Sequence, residues 1–340
     1  MKLKFICAFL LLLLVSNGAF AQEEGTTGSM HLMVPTTART IGLGSVATTA
    51  VKGMNPIEAM ASNPSGLSDN TGTAALFSRM NYVADIGIST FGVAQNLGTR
   101  NLALTFTAWN FGDISRQTEA KPEVEDGVTY SAATSVIGVS YSRQLTDRIA
   151  TGITVKASNE RIDDLSQSRV SVDGGMTYTV GESGLRFGVA LLNFGPKAAF
   201  SGDGLIRFNR IQNQPSNAAQ TPFRIAAEDF ESPAALNFGA TYTRSLAGSA
   251  SATLLGNFRS TSLGPDLFTG GVELGFRNLF FVRGGYQGVT GGNDNSMYTG
   301  LSAGAGLNID VSGFQMSVDY AYRATNYFTA PQTITVGLKF

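Results

Sequence analysis

The sequence predicts an all-β protein, a 14-stranded antiparallel transmembrane β-barrel with a short N-terminal plug-like segment. Three observations lead to this fold class. Apolar and small residues alternate with a period of two from about residue 74 onward, the alternating segments number 14, and short and long connections alternate between them. A period of two indicates strands with two differently solvated faces. An even number of strands, with short turns at one end and longer loops at the other, is typical of outer-membrane barrels.

The chain begins with the features of an export signal. Two lysines precede an apolar stretch at residues 5–15, and Ala-Phe-Ala at residues 19–21 fits a cleavage site. We therefore expect residues 1–21 to be removed. The single cysteine, Cys7, would leave with them, and the mature chain would have no disulfide, no thiolate metal site and no cysteine nucleophile.

Composition narrows the class of protein. The formal net charge is −1, or −3 once the two lysine charges of the signal are removed, so we expect no nucleic-acid partner. Charged residues make up only 14% of the 340 residues while 43% are hydrophobic, and glycine occurs 40 times. After residue 21 no apolar run is long enough for a membrane-spanning helix. These properties leave a periplasmic β-protein or an outer-membrane barrel.

The second face of the strands favours the barrel. Residues 313–323, GFQMSVDYAYR, place apolar or aromatic side chains at even positions and small or polar ones at odd positions, and residues 333–340 continue the pattern. A soluble sandwich also alternates, but its outward face usually carries Lys, Glu and Arg. Here the second face is mostly Gly, Ala, Ser and Thr, which suits a crowded lumen. We expect the luminal Lys156, Asp319 and Lys339 to pair with each other or with the plug.

The alternating segments have lengths near the ~9–11 residues that a tilted strand needs to cross hydrocarbon. We predict strands at 74–82, 85–95, 101–111, 130–143, 148–160, 168–180, 184–194, 233–245, 249–260, 267–277, 279–288, 297–308, 313–323 and 332–340. Six tight turns connect them at one end. Seven links connect them at the other end, among them 112–129, 161–167 and 195–232, most of which are longer. The predicted organisation is a signal peptide at 1–21, a plug at 22–73 and a barrel at 74–340.

The predicted plug is rich in small residues and does not alternate. Pro56 to Met60 could form a short helix with Asn55 as its N-cap. The following sequence predicts a turn that leads from the plug to the barrel wall, because proline presets φ and glycine can adopt a positive φ. The residues of this turn are Asn63, Pro64, Ser65, Gly66 and Leu67.

Several blocks together resemble the PorV/PorQ family of outer-membrane proteins. In chain order they are Thr37-Ala38-Arg39 with Ile41-Gly42-Leu43-Gly44, then Asn63-Pro64-Ser65-Gly66-Leu67, Phe111-Gly112-Asp113, the segment from Ser140 to Arg148, Lys156, Ile162-Asp163-Asp164, and Asn193 to Lys197. Their order and spacing extend over most of the mature chain. Ser65 stands where the family usually has alanine. Residues 54–60 stand where the family usually has an acidic segment before this block.

The resemblance implies a 14-stranded barrel related to the FadL long-chain fatty-acid transporters, located in the outer membrane. It also implies association with the type IX secretion system, in which such proteins bind secretion-system components or the C-terminal signal domains of cargo. Outer-membrane lipid and, during biogenesis, the barrel-assembly machinery are further expected partners. The terminal Phe340 resembles the signal that this assembly machinery recognises.

Two functions remain open from the sequence. The first is cargo or partner binding through the loops. The second is FadL-like transport of hydrophobic small molecules. Both could use the apolar residues of the longest link, which are Phe200, Leu205, Ile206, Phe208 and Phe223. We expect no enzyme activity, no catalytic residues, no cofactor and no metal site, because no converging Ser, His, Asp and Glu set is visible and His31 is the only histidine.

Overall fold

The computed structural model describes residues 28–117, 127–210, 219–262, 264–290, 296–311 and 313–340. The predicted signal peptide and Cys7 lie outside this range. In the described residues no helix is long and apolar enough to cross a membrane.

Fourteen antiparallel strands form a closed barrel, as the sequence predicts. Each strand pairs with its sequence neighbours, and the first strand also pairs with the last, from Ala74 with Lys339 to Asn81 with Gln332. The wall strands are β1 Thr73–Asn81, β2 Gly87–Asn96, β3 Arg100–Ser115, β4 Thr129–Gln144, β5 Ile149–Ile162, β6 Leu165–Thr179, β7 Leu185–Phe194, β8 Ala235–Ser245, β9 Ala250–Thr261, β10 Leu267–Phe276, β11 Phe280–Val289, β12 Tyr298–Val311, β13 Phe314–Thr325 and β14 Gln332–Lys339.

The two faces of the wall follow the predicted alternation. On β14, Ile334 is 53% exposed whereas its neighbours Thr333 and Thr335 are each 1% exposed. The apolar residues therefore face outward, where a membrane would contact them, and the small polar residues face the lumen. Buried residues are concentrated in the N-terminal segment, so the core of this protein lies inside the barrel rather than between two sheets.

Two predicted connections differ from the structure. The link 161–167 was expected to be one of the longer ones, but β5 ends at Ile162 and β6 begins at Leu165. Asp163 closes this two-residue turn with a φ of 53°. Strand β3 extends past Phe111, and the register shift between Asn110 and Asp113 marks a bulge at which Gly112 has a φ of 72°. Both errors arise because polar residues at the ends of long strands resemble loop residues.

The N-terminal segment from Gly28 to Gly72 fills the lumen as a plug. It contains two α-helices, α1 (Ala38–Gly42) and α2 (Pro56–Ser62), and two 3₁₀ helices, Met30–Met33 and Pro64–Asp69. The predicted N-cap of α2 is confirmed, because the Asn55 side chain accepts a hydrogen bond of 3.0 Å from the amide of Ile57.

Candidate functional site

A network of buried charges joins the plug to the wall. Arg39 of α1 donates two hydrogen bonds, of 2.8 and 2.7 Å, to the carboxylate of Glu273 on β10. Arg283 on β11 donates to Glu273 at 2.6 Å and to Asp319 at 2.5 Å. All four side chains are at most 5% exposed. Because burying a charge is costly unless it is paired, these residues hold one another in place and fix α1 against the wall.

Glu58 of α2 continues this network inside the plug. Its carboxylate accepts a hydrogen bond of 3.0 Å from the amide of Thr40. Burial raises the pKa of the Glu58 carboxyl, and the negative charge of Asp319 raises it further. The raised pKa reflects the enclosure of this carboxyl group between α1 and α2.

The three luminal charges singled out from the sequence have different partners. Lys339 donates to the carbonyl oxygen of Met54 at 3.0 Å. This contact is with the plug, which was one of the two kinds of partner expected for it. Lys156 pairs with Asp173 at 2.8 Å. Asp319 pairs with Arg283, as described above. Sequence reasoning missed the partners on the wall and the central role of Arg39, since nothing in the local sequence links residues that lie 234 positions apart.

Glycines on the luminal face let the plug approach the wall closely. A Cβ atom at Gly152 would lie 2.4 Å from the carbonyl carbon of Pro64, and one at Gly175 would lie 2.0 Å from Oδ1 of Asn63. At Gly285 the nearest atom would be the amide nitrogen of Gly44, at 2.2 Å. Any side chain at these positions would displace the plug. The small inner-face residues therefore accommodate a packed plug.

The segment predicted as a plug-to-wall turn is a 3₁₀ helix inside the lumen. Asn63 caps it by accepting from the amide of Ser65 at 3.0 Å, and its side-chain amide donates to the carbonyl oxygen of Thr48 at 2.9 Å. Gly66 does not use the positive φ that is open to glycine. Glycine is required there by space, because a Cβ atom would lie 2.9 Å from Ala59. Leu67 is fully buried.

An inner cavity of about 150 Å³ lies between the plug and strands β1–β7 and β9. Apolar side chains share its lining with threonine hydroxyls and with the charged groups of Lys156, Asp173 and Arg259. The single tryptophan of the chain, Trp109, is part of the lining and contacts Tyr82 and Phe111 with ring centroids 5.6 and 6.2 Å away. Apolar residues that line this cavity include Met33, Val34, Ile57, Met60, Leu76, Val136 and Leu192.

An outer cavity of about 360 Å³ lies at the barrel end that carries the longer links. Its lining includes Tyr82 and Tyr298, whose hydroxyl groups form a hydrogen bond of 2.9 Å. Met33, Val34 and Arg259 line both cavities, so the two spaces meet at these side chains. A molecule that enters from the barrel end with the longer links would reach the outer cavity first and the inner cavity second.

The residues predicted for a partner or ligand loop lie away from both cavities. Phe208 and Phe223 belong to a short hairpin, Ile206–Asn209 with Thr221–Arg224, and are 64% and 45% exposed. Phe200 packs edge-to-face against Phe230 at 6.1 Å. Leu205 and Ile206 are partly buried. Phe340 is 63% exposed on the outer face, and its backbone pairs with that of Thr73.

Comparison with known proteins gives matches of structure only. No protein-family model matches the chain, and no curated protein matches it in sequence. The Pseudomonas putida toluene transporter TodX has a similar fold, with a TM-score of 0.55 and 11% identity over 91% of this chain and 99% of that one. The monoaromatic hydrocarbon channel CymD is similar, with a TM-score of 0.53 and 10% identity over 91% and 98%.

A FadL homologue from Pseudomonas aeruginosa also matches, with a TM-score of 0.51 and 11% identity over 91% and 99% of the two chains. At these identities the likeness concerns the fold alone, a 14-stranded antiparallel β-barrel. These three structures lend no support to the PorV/PorQ resemblance or to a link to type IX secretion. Of the three, TodX is described as a transporter and CymD as a channel.

Proposed function

We propose that the protein is an outer-membrane transporter for hydrophobic small molecules. The observation that carries this proposal is the pair of adjoining cavities between the loops and the plug. Ligand sites are commonly concave, mainly apolar and furnished with a few polar groups. Both cavities have this character, and Met33, Val34 and Arg259 connect them. The shared fold with a toluene transporter and a monoaromatic hydrocarbon channel supports the same conclusion.

The single tryptophan offers a direct test. Because Trp109 lines the inner cavity, its fluorescence should change in a saturable manner when toluene is titrated into the purified full-length protein. A Val136→Phe variant fills the cavity and should abolish the change. The matched control is Ile137→Phe, since Ile137 is the next residue on β4 but is 49% exposed on the outer face. Equal responses of both variants, or no response of the wild type, would contradict transport through these cavities.

A second candidate function is binding of secreted cargo or of a secretion-system component. The exposed Phe208 and Phe223, one on each face of the loop hairpin, favour it, because exposed aromatic residues often mark protein contacts. Pull-down from native outer membranes tests it with the wild type and a Phe208→Ser, Phe223→Ser double variant. Recovery of the same proteins with both forms would reject a role for the hairpin.

A further inference from the structure

Two arginines that line the outer cavity have no carboxylate partner among the residues that the structure describes. Arg259 on β9 is 7% exposed, and its Nε atom donates to the amide oxygen of Asn237 at 2.9 Å. Arg323 on β13 is 8% exposed and donates to the amide oxygen of Gln287 at 2.7 Å. Its guanidinium carbon lies 3.4 Å from the ring centroid of Tyr298. Within the described ranges both cations therefore hydrogen-bond only to neutral groups.

Three other arginines inside the barrel bind carboxylates. Arg39 and Arg283 each bind the carboxylate of Glu273, and Arg186 pairs with Asp69 at 2.8 Å. A buried guanidinium is stable when its charge is compensated, and two of them that face one cavity also repel each other. The described residues satisfy this requirement at Arg39, Arg283 and Arg186 but not at Arg259 and Arg323. An anionic ligand would supply the missing charge.

The surroundings specify the rest of the ligand. Arg259 stands where the outer cavity meets the inner one, so an anionic group bound there can extend an apolar body into the inner cavity. The volume of about 150 Å³ is comparable to that of an engineered protein cavity that binds benzene. Trp109 lines this space, and its ring offers a surface for an aromatic partner. One aromatic ring therefore fits the space better than a long flexible chain.

We propose that Arg259 and Arg323 bind the carboxylate of a small aromatic monocarboxylate whose ring occupies the inner cavity beside Trp109. A guanidinium presents two parallel N–H groups to a carboxylate, and the second arginine can engage the other side of the same group. The inference rests on the proposed transport function and specifies the class of substrate. It adds an anionic group to the neutral hydrocarbons that are named for the structural neighbours.

Calorimetric titration of the detergent-solubilised full-length protein tests the proposal with three probes. They vary the charge of the ligand and the aromatic or aliphatic nature of its apolar part. These are 3-phenylpropionate, its neutral analogue 3-phenylpropan-1-ol, and the aliphatic acid decanoate. We expect 3-phenylpropionate to bind at least tenfold more tightly than the alcohol and more tightly than decanoate. We expect Arg259→Gln and Arg323→Gln to remove the preference for the acid over the alcohol, and Arg143→Gln, at an exposed position near a turn, to retain it.

The outcomes separate the two proposals. If the alcohol binds as tightly as the acid and Val136→Phe abolishes both, transport of neutral compounds stands and the anion site is wrong. Tighter binding of decanoate would overturn the aromatic assignment, and unchanged preference in both arginine variants would overturn the roles of these residues. Absence of binding by all three probes would reject both proposals. The comparison of acid with alcohol uses only the wild type, so it stands even if a variant fails to assemble.

Discussion

The buried ion pair between Arg39 and Glu273 is expected to keep the plug seated. Replacing Arg39 with methionine preserves most of the side-chain volume but removes two charge-assisted hydrogen bonds to Glu273 and one of 3.1 Å to the carbonyl oxygen of Lys52. Breaking a buried pair by removing one partner costs about 3–5 kcal/mol. Glu273 keeps its bond to Arg283, so we expect the lower end, about 3 kcal/mol.

A loss of about 3 kcal/mol raises the open population of the plug by roughly 150-fold, since each 1.4 kcal/mol is a factor of ten. Native-state hydrogen exchange measures this opening by region. Amides of residues 38–62 should exchange faster in Arg39→Met, whereas amides of the wall strands should not change. Arg148→Met is the matched control, because Arg148 lies exposed near a turn. If residues 38–62 exchange at the wild-type rate in Arg39→Met, the ion pair does not hold the plug.

Three further predictions concern the lumen and the C-terminus. Gly175→Ala should destabilise plug docking by about 1–3 kcal/mol, because its Cβ would collide with Asn63, whereas Gly256→Ala, which meets nothing within 4 Å, should be neutral in the same exchange measurement. Burial, reinforced by nearby cations, lowers the pKa of His31 from 6.5 to about 4, so the docked segment should lose up to about 1.4 kcal/mol per unit as pH falls through that interval. Limited proteolysis of wild type should show this loss, and His31→Gln should remove it. Deleting Phe340 should slow barrel assembly in cells, measured by heat-modifiable gel migration; unchanged assembly would reject its role as a signal.

The barrel could be predicted from the sequence because its determinants are local. Strand β14 alternates between outward Ile334 and inward Thr335, and the same period recurs along the wall. Strand ends were less accurate, as at Asp163, since the pattern of a long strand fades where the wall leaves the membrane. The short helix at Pro56 was also predictable, because a cap and a proline at its start act within a few residues.

The charges and cavities could not be predicted, because their partners are distant in sequence. Arg39 and Glu273 are 234 positions apart. The role of Arg259 as a ligand-binding candidate follows only from the cavity that it lines. The Asn63 to Leu67 block illustrates a different limit. It packs the plug against the wall. This packing depends on the shape of the lumen and not on the ligand or partner of the protein. A resemblance in such a block therefore indicates the architecture better than the partner.

The separation between Arg39 and Glu273 also sets an order of events during biogenesis. The N-terminal segment is synthesised first, yet the groups that compensate the charge of Arg39, Glu273 with Arg283 and Asp319, belong to strands β10, β11 and β13, which follow much later in the chain. Until those strands are in place, Arg39 has no buried partner and must remain solvated. The part of the chain that is made first is thus among the last to reach its final environment.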